Sequence, residues 1–345
     1  MANNEIITEK PENVVEVKRL KQYFPIKAGV MQRVVGHVKA VDDISFKVKR
    51  GTTMGLVGES GSGKTTVGKT MLRLNQATSG QVIFDNKDVF SLNSRDLRAI
   101  RPKLQMIFQD PYSSLSPRMP ISEIIGEAVK EHHIVPSSEF EAHLNKVMLD
   151  CGLQPYHKDR YPHEFSGGQR QRICIARSLA LNPEFVVCDE PVSALDVSIQ
   201  AQIINLLEEL QDKNDIAYLF ISHDLSVVQH ISDYVGVMYL GDIVEYSDKK
   251  KLFANPAHPY TKALLSAVPV PDPNFKMNRI ILEGSIPSPA NPPKGCKFHT
   301  RCPYLMEVCK TVPPQTREIE PGHVVKCHLF NNEGVLIDED SEYAI

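Results

Sequence analysis

Residues 58–66 read "GESGSGKTT", and they set the interpretation of the rest of the chain. They fit the pattern G-x-x-x-x-G-K-[ST] and follow the apolar run "TTMGLVG", which predicts a buried strand. In a loop of this kind the backbone N–H groups point inward and bind phosphate oxygens at the start of a helix. The stretch therefore predicts a phosphate-binding loop between a strand and a helix.

The pattern of this loop predicts roles for its side chains. Lys64 is expected to reach the β- and γ-phosphates of a nucleotide, and the hydroxyl of Thr65 to bind Mg²⁺. A second stretch, "CDEPVSALDVS" at 188–198, places Asp189 and Glu190 at the end of the apolar run "FVVC". An Asp at the end of a neighbouring strand helps to hold magnesium in enzymes with this loop, and Asp189 fits that role. The other predicted nucleotide-binding residues are Gly58, Ser60, Gly61, Ser62, Gly63 and Thr66.

Composition restricts the remaining possibilities. The chain has 345 residues, with 39 basic and 42 acidic side chains, so its overall charge indicates no affinity for nucleic acid. No apolar run reaches the roughly 18 residues of a spanning helix, and the N-terminal "MANNEIITEK" lacks the order of a signal peptide. A cytoplasmic protein of one or two domains is expected.

The pattern of apolar residues changes along the chain. "VVEVKRL" and "AVDDISFKV" alternate like half-buried antiparallel strands, whereas "LQMIFQ", "FVVCDE", "IAYLFIS" and "YVGVMYL" predict short buried strands of a parallel sheet. Helical spacing without a good strand indicates a helical insertion at about 112–165. From about residue 255 prolines accumulate and break regular elements, which predicts a separate, small and irregular C-terminal region that is rich in cysteine.

A complete set of short motifs narrows the class of enzyme. The guanine-reading pattern N-K-x-D of GTPases is incomplete, since residues 86–89 end in Val89. "FSGGQRQR" at 165–172, "FQDP", "FVVCDE", "SALD" and "ISHD" instead accompany the phosphate-binding loop, and together they resemble the ATP-binding-cassette (ABC) ATPases over residues 14–250. Phe165 stands where that family usually has Leu. The resemblance implies an α/β fold with a mixed core sheet, an antiparallel β subdomain and an inserted helical subdomain.

The resemblance also implies roles for individual residues. Glu190 would polarise the attacking water, Gln109 would sense magnesium and water, and His223 would contact the γ-phosphate. Tyr23 matches the aromatic residue that stacks on adenine, although the neighbouring Phe24 is an alternative. The signature residues act in trans on nucleotide held by an opposite subunit, which implies a dimer of cassettes; here they are Ser166, Gly167, Gly168 and Gln169, with Asp196.

The tail indicates what the ATP drives. "NPAHPYTKALLSAVP" and "GCKFHTRCPY" resemble the C-terminal extension of ATPase subunits of oligopeptide and dipeptide importers, closest to the second of their two non-identical ATPases. This implies a cassette domain at 14–255 and an extension at 256–345. It also implies a second ATPase, two permeases, an extracellular binding protein and a peripheral position on the cytoplasmic membrane face. Nickel or oligosaccharide import remains an alternative; a DNA-repair ATPase is disfavoured because the spacing leaves no room for a coiled coil.

Four cysteines crowd the predicted extension, spaced C-x₅-C-x₆-C-x₁₇-C. A proline-rich segment builds little hydrophobic core of its own and needs a cross-link, such as a metal site or a disulfide, to be stable. Four thiolates with a proline after one ligand are typical of iron–sulfur sites, and the family resemblance also implies a [4Fe–4S] cluster. Zn²⁺ with help from His299, His323 or His328 is the alternative, followed by free thiols or a disulfide. The candidate ligands are Cys296, Cys302, Cys309 and Cys327.

Overall fold

The computed structural model describes residues 11–269, 278–332 and 334–337. The N-terminal segment examined for a signal peptide and the prolines within 270–277 lie outside the described residues, as do the last residues of the predicted extension. The strands are β1 Asn13–Ala28, β2 Arg33–Lys49, β3 Thr53–Val57, β4 Ser79–Phe84, β5 Lys87–Asp88, β6 Leu104–Ile107, β7 Phe185–Asp189, β8 Ala217–Ser222, β9 Tyr234–Tyr239, β10 Asp242–Asp248, β11 Thr316–Glu320, β12 His323–Lys326 and β13 Val335–Leu336.

Helices alternate with these strands, and short 3₁₀ turns occur at several connections. The α-helices are α1 Lys64–Met71, α2 Ser94–Ile100, α3 Pro111–Ser114, α4 Ile121–Glu131, α5 Phe140–Asp150, α6 Gly167–Leu179, α7 Val197–Asn214, α8 Leu225–Ile231, α9 Lys249–Ala254 and α10 Pro259–Ser266. The 3₁₀ turns are Arg101–Lys103, Pro155–His157, Pro162–Glu164, His299–Arg301, Glu307–Lys310 and His328–Phe330. None of the helices among the described residues combines the length and apolar character needed to cross a membrane.

The main sheet has the strand order β13-β11-β12-β10-β9-β3-β8-β7-β6. Its strands β6, β7, β8, β3 and β9 are parallel, and β10 joins β9 in antiparallel orientation. Consecutive residues of β7 face opposite cores: Val186 packs with the helical side and Val187 with the side of α1. Burial on both faces explains the nearly continuous apolar sequences of these strands.

A smaller antiparallel sheet, β2-β1-β4-β5, covers the α1 side of the main sheet. On the other side, α4 packs its buried residues Ile121, Ile124, Ile125 and Val129, which follow helical spacing along one face. The predicted mixed core sheet, antiparallel β subdomain and helical subdomain are therefore confirmed.

The C-terminal extension is only in part irregular. Residues 278–298 run through turns and extended stretches, as the prolines predict. Beyond them, β12 pairs with β10 of the cassette, and β11 and β13 add to β12. The sequence analysis expected no strands there. The extension thus continues the core sheet, because β10 would otherwise leave one edge of backbone N–H and C=O groups unpaired.

Candidate active site

The phosphate-binding loop joins β3 to α1 with glycines at positions that demand them. Gly63 has φ 109°, and a Cβ there would lie 2.1 Å from the carbonyl oxygen of Ala40. Gly61 has φ 80°, and a Cβ there would meet nothing within 4 Å. Left-handed backbone of this kind favours glycine. The loop is therefore packed tightly at its base and open at its tip, where Gly61 and its neighbour Ser60 are exposed.

Lys64 places a buried cation inside this loop. Its Nζ donates hydrogen bonds to the carbonyl oxygens of Gly58 (2.7 Å) and Glu59 (3.0 Å). Burial lowers the pKa of Lys64, and the carboxylates of Glu190, Asp189 and Glu59 oppose that shift. The three carboxylates thus favour the charged form of Lys64. Its ammonium group, held inside the loop, is suited to bind a phosphate group.

Thr65 and Asp189 form a second pair beside the lysine. The hydroxyl of Thr65 donates to Oδ1 of Asp189 at 2.7 Å. Asp189 is 3% exposed, and burial raises its pKa, while the Thr65 hydrogen bond acts in the opposite direction. A hydroxyl and a carboxylate oxygen are ligands that Mg²⁺ prefers, so the donor set fits the metal.

Glu190 lies at the centre of a hydrogen-bonded group of three side chains. Its Oε2 accepts a hydrogen bond from Nε2 of Gln109 (2.8 Å) and lies 3.2 Å from Nδ1 of His223. The backbone of Glu190 has φ 46°, an uncommon value for a residue with a side chain. Such strain is often found at functional sites, and here it accompanies a carboxylate held by two polar neighbours.

The sheet topology brings these residues together. Gln109 follows β6, Asp189 ends β7, His223 follows β8 and Lys64 follows the loop after β3. These four strands are parallel neighbours in the main sheet, so their carboxyl ends meet at one edge. Ligands bind outside the carboxyl ends of such strands.

The signature residues form a separate, exposed group at the starts of α6 and α7. The Ser166 hydroxyl accepts from the Gln169 N–H, and the Gln169 side chain accepts from the Ser166 N–H, which makes a capping box. A Cβ on Gly168 would lie 2.6 Å from Ile199 of α7, so these helices pack closely. Ser166, Gly167 and Asp196 are exposed, which leaves this surface free to contact another molecule.

Comparisons with known proteins agree with this geometry. Residues 41–193 match the family model "ABC transporter", and residues 244–309 match "Oligopeptide/dipeptide transporter, C-terminal region". The chain is 54% identical over 323 residues to "Oligopeptide transport ATP-binding protein AppF" of Bacillus subtilis (strain 168), covering 93% of this chain and 98% of the relative. It belongs to the ABC ATPases with this C-terminal region.

Solved structures of other cassettes share the fold. A dimeric post-hydrolysis state of the cassette MJ0796 bound to ADP and Pi matches with TM-score 0.60 and 25% identity, over 68% of this chain and 98% of that one. The cbiO1 protein of Clostridium perfringens matches with TM-score 0.61 and 26% identity, over 71% of this chain and 92% of that one. The match covers the cassette rather than the whole of this ABC ATPase.

The two candidates for stacking on adenine face opposite sides of β1. The hydroxyl of Tyr23 donates to Asp42, and Lys39 lies over its ring, 5.5 Å from the centroid. Phe24 alternates to the face of the buried Gln22 and is 39% exposed. The ring of Tyr23 is therefore engaged with charged side chains, whereas Phe24 offers an uncommitted aromatic face.

The four cysteines of the extension are free thiols in this structure. Burial, together with the other three thiols, raises the pKa of Cys327 to about 12. Backbone groups act in the opposite direction, since those of Phe298, Tyr304 and Leu329 lower the pKa of Cys296, Cys302 and Cys327, respectively. Nevertheless, residues 11–269, 278–332 and 334–337 contain no His, Cys, Asp or Glu group compact enough to count as a ready metal site.

The three histidines considered as zinc ligands are engaged elsewhere. Nε2 of His323 lies 2.8 Å from the buried carboxylate of Glu245. Nε2 of His328 lies 2.8 Å from the Val312 carbonyl, and Nδ1 of His299 lies 2.8 Å from the Cys296 carbonyl. These contacts do not favour a mixed Cys/His zinc site.

Two residues of the extension contact the phosphate-binding loop, and the sequence analysis did not identify them. Arg301 forms a two-pronged ion pair with Glu59, with N–O distances of 2.7 and 3.0 Å. The Tyr260 hydroxyl accepts from the Glu59 N–H at 2.9 Å. No pattern within either stretch of sequence identifies the other as its partner, because the contact depends on how the extension packs against the cassette.

Proposed function

We propose that this ABC ATPase hydrolyses MgATP to power the import of di- or oligopeptides, as a peripheral subunit on the cytoplasmic face of a membrane transporter. The observation that carries the proposal is the combination of the Glu190 site with a C-terminal region that matches oligopeptide/dipeptide transporters. The name of the relative AppF points to the same cargo class.

ATP would bind through the loop and the residues around it. The backbone N–H groups of residues 58–66 and the ammonium of Lys64 would hold the phosphates. Thr65 and Asp189 would hold Mg²⁺, which supplies charge neutralisation between the β- and γ-phosphates when it is bound. Their present contact of 2.7 Å supports this assignment, because both oxygens can bind one metal ion.

Hydrolysis would depend on the group around Glu190. The carboxylate would orient the attacking water and accept its proton, and the Gln109 amide would hold the carboxylate and contact the water. His223 is 58% exposed in its side chain and faces the same carboxylate, so it can also reach the γ-phosphate. Catalysis would rest on positioning and electrostatics, as for phosphoryl transfer in general.

A complete site would require a second cassette. The exposed signature surface of Ser166, Gly167, Gly168, Gln169 and Asp196 would close on nucleotide held by the opposite subunit. We infer that this subunit is a second, non-identical ABC ATPase, that both bind two membrane permeases, and that an extracellular binding protein delivers the peptide. The helical subdomain is the expected contact with the permeases.

We further propose that Cys296, Cys302, Cys309 and Cys327 bind a [4Fe–4S] cluster. Cys327 interacts electrostatically with the other three thiols, and backbone groups at Phe298 and Leu329 lower the pKa of Cys296 and Cys327, which supports the thiolate form that binds iron. The cluster would cross-link the irregular part of the extension and so stabilise it. Its distance in sequence from the ATP motifs favours a structural or redox-sensing role.

Transport by the reconstituted complex tests the function. The chain is co-expressed with its companion ATPase and permeases and placed in lipid vesicles together with the binding protein. Labelled di- and oligopeptides are expected to accumulate only with MgATP, and not when Lys64→Ala replaces the wild type. Uptake of nickel or an oligosaccharide without peptide uptake would contradict the peptide assignment and favour the alternative cargo.

A further inference from the structure

The C-terminal extension reaches the phosphate-binding loop through Arg301. This residue ends the 3₁₀ turn His299–Arg301, and its side chain is 8% exposed. Nη1 and Nη2 each contact one oxygen of the Glu59 carboxylate, at 2.7 and 3.0 Å. Paired contacts of this kind fix the carboxylate in orientation as well as in position.

The surroundings hold Arg301 in place. Tyr239, Tyr260 and Phe298 form an aromatic cluster with ring centroids 4.8 to 5.4 Å apart, and Arg301 lies over the Tyr239 ring at 6.0 Å. Tyr260 also accepts a hydrogen bond from the Glu59 N–H. Both the backbone and the side chain of Glu59 are therefore held by residues C-terminal to the cassette motifs.

The contact between Arg301 and Glu59 can affect phosphate binding because Glu59 is charged. Its carboxylate acts electrostatically on the Lys64 ammonium, the group suited to bind phosphate. An unpaired carboxylate at this position would repel a triphosphate, because like charges at short range repel where protein partly excludes water. Arg301 both neutralises the carboxylate and keeps it directed toward the extension.

We propose that Arg301 is a positioning residue of the ATP site, which acts through Glu59 and makes the C-terminal extension part of the nucleotide-binding machinery. The inference rests on the proposed binding of MgATP by the loop of residues 58–66. It assigns the extension a role in ATP affinity, whereas the chemistry of hydrolysis stays with Glu190, Gln109 and His223.

The test is a double-mutant cycle in the full chain, with MgATP affinity measured by titration calorimetry. Arg301→Gln should weaken binding about 10-fold, the size of one lost charge-assisted hydrogen bond. Glu59→Gln should bind about as tightly as wild type or more tightly, because it removes the repulsive charge. The double variant Arg301→Gln/Glu59→Gln should recover most of the lost affinity. In the assembled transporter, Arg301→Gln should raise KM with little change in kcat.

Arg50 offers a matched control. Its guanidinium pairs with Glu184 at 2.7 Å and is similarly shielded, with 14% side-chain exposure. Arg50 precedes β3 and Glu184 precedes β7, so the pair lies at the sheet edge opposite the site. Arg50→Gln should leave MgATP affinity unchanged. Thermal unfolding of each variant separates lost affinity from lost folding.

Several outcomes would overturn the inference. Unchanged affinity in Arg301→Gln would do so, as would a double variant no better than Arg301→Gln, since the defect would then come from the extension's structure. Weaker binding in Glu59→Gln equal to that of Arg301→Gln would exclude the charge argument. Failure of the wild type itself to bind MgATP would overturn the proposed function and this inference together.

Discussion

In the proposed mechanism, Glu190 would serve hydrolysis and Lys64 would serve ATP binding. Glu190 is held by Gln109 and His223, whereas Lys64 is enclosed by the loop itself. The two side chains are thus attached to different parts of the structure. Substituting one should leave the contacts of the other in place, which allows the two steps to be separated by mutation.

Glu190→Gln is expected to bind ATP normally but hydrolyse it poorly. The amide keeps the size of the side chain but accepts no proton, and loss of a general base typically lowers the rate about 10²–10⁴-fold. ATP turnover by the assembled transporter and retention of ATP in a closed dimer are the measurements. The control, Lys64→Ala, should lose ATP binding itself. Near-normal turnover in Glu190→Gln would assign catalysis to another residue.

Phe24 is expected to contribute more to ATP affinity than Tyr23. Its exposed ring can stack on adenine, and stacking on an aromatic residue is worth roughly 1–3 kcal/mol, so Phe24→Ala should weaken ATP binding about 10-fold. Tyr23→Ala serves as the matched variant and should weaken it less, because the Tyr23 hydroxyl already bonds Asp42. A larger loss in Tyr23→Ala would restore Tyr23 as the stacking residue.

At the scale of elements, one buried carboxylate joins the extension to the cassette. Glu245 of β10 is fully buried and accepts from the backbone N–H groups of Ala257 (2.7 Å) and His258 (2.8 Å). The same carboxylate contacts His323 of β12. Three segments meet at this side chain, so the docking of β12 and α10 depends on polar contacts as well as on strand pairing.

His258 should make the stability of this contact between extension and cassette depend on pH. Burial lowers its pKa from 6.5 to about 4, so the folded chain keeps the ring neutral where the unfolded chain protonates it. The unfolded state then binds more protons between pH 6.5 and about 4, and stability falls as pH falls through that window, by at most about 3 kcal/mol.

The substitution His258→Asn isolates that contribution. Asn also caps helices, so it can replace the hydrogen bond from the Tyr260 N–H to Nδ1 of His258, and it does not titrate in this range. Urea unfolding at several pH values between 7 and 4 is expected to show a shallower loss of stability in the variant. An identical pH dependence in both proteins would exclude His258 as the titrating group.

The cysteine site of the extension should be visible in purified protein. Chain prepared without oxygen is expected to be brown and to contain about four irons, and Cys302→Ser should lose the colour. Cys174→Ala is the control, since Cys174 is a buried thiol of α6 and should leave the colour intact. Colourless protein with one bound zinc would exclude the cluster and favour the zinc alternative.

At the scale of the whole molecule, the residues proposed for the ATP site lie on two separate surfaces of the chain. The carboxyl edge of the main sheet carries Lys64, Asp189 and Glu190, while Ser166 and Asp196 lie exposed at the starts of α6 and α7. The solved MJ0796 cassette, which shares the fold, is described as dimeric. An arrangement of this kind makes activity depend on association.

The isolated chain is therefore expected to be mostly monomeric and a weak ATPase. Co-expression with the proposed companion ATPase and permeases should raise activity strongly, because the companion would supply the trans signature. Light scattering and ATP turnover before and after assembly are the measurements, with Ser166→Ala as a variant that binds ATP but activates its partner poorly. A stable, fully active homodimer would contradict the heteromeric proposal.

Much of the cassette could be predicted because its signals are local. Each motif lies within a few consecutive residues, and the carboxyl ends of parallel strands always share an edge, which places Gln109, Asp189 and His223 together without knowledge of the packing. The fold class and the family are confirmed on these grounds. The roles of individual site residues and of the four cysteines stay predictions.

Sequence alone determined the loop, the short buried strands of the parallel sheet and the C-terminal region of the transporter type, since local pattern and motif order carry that information. Only the tertiary structure decided that β12 continues the core sheet and that the Tyr23 hydroxyl bonds Asp42 while the neighbouring Phe24 is exposed. It also decided that Arg301 contacts Glu59, 242 residues away. Such contacts depend on how distant segments pack, and no periodicity within either segment encodes its partner.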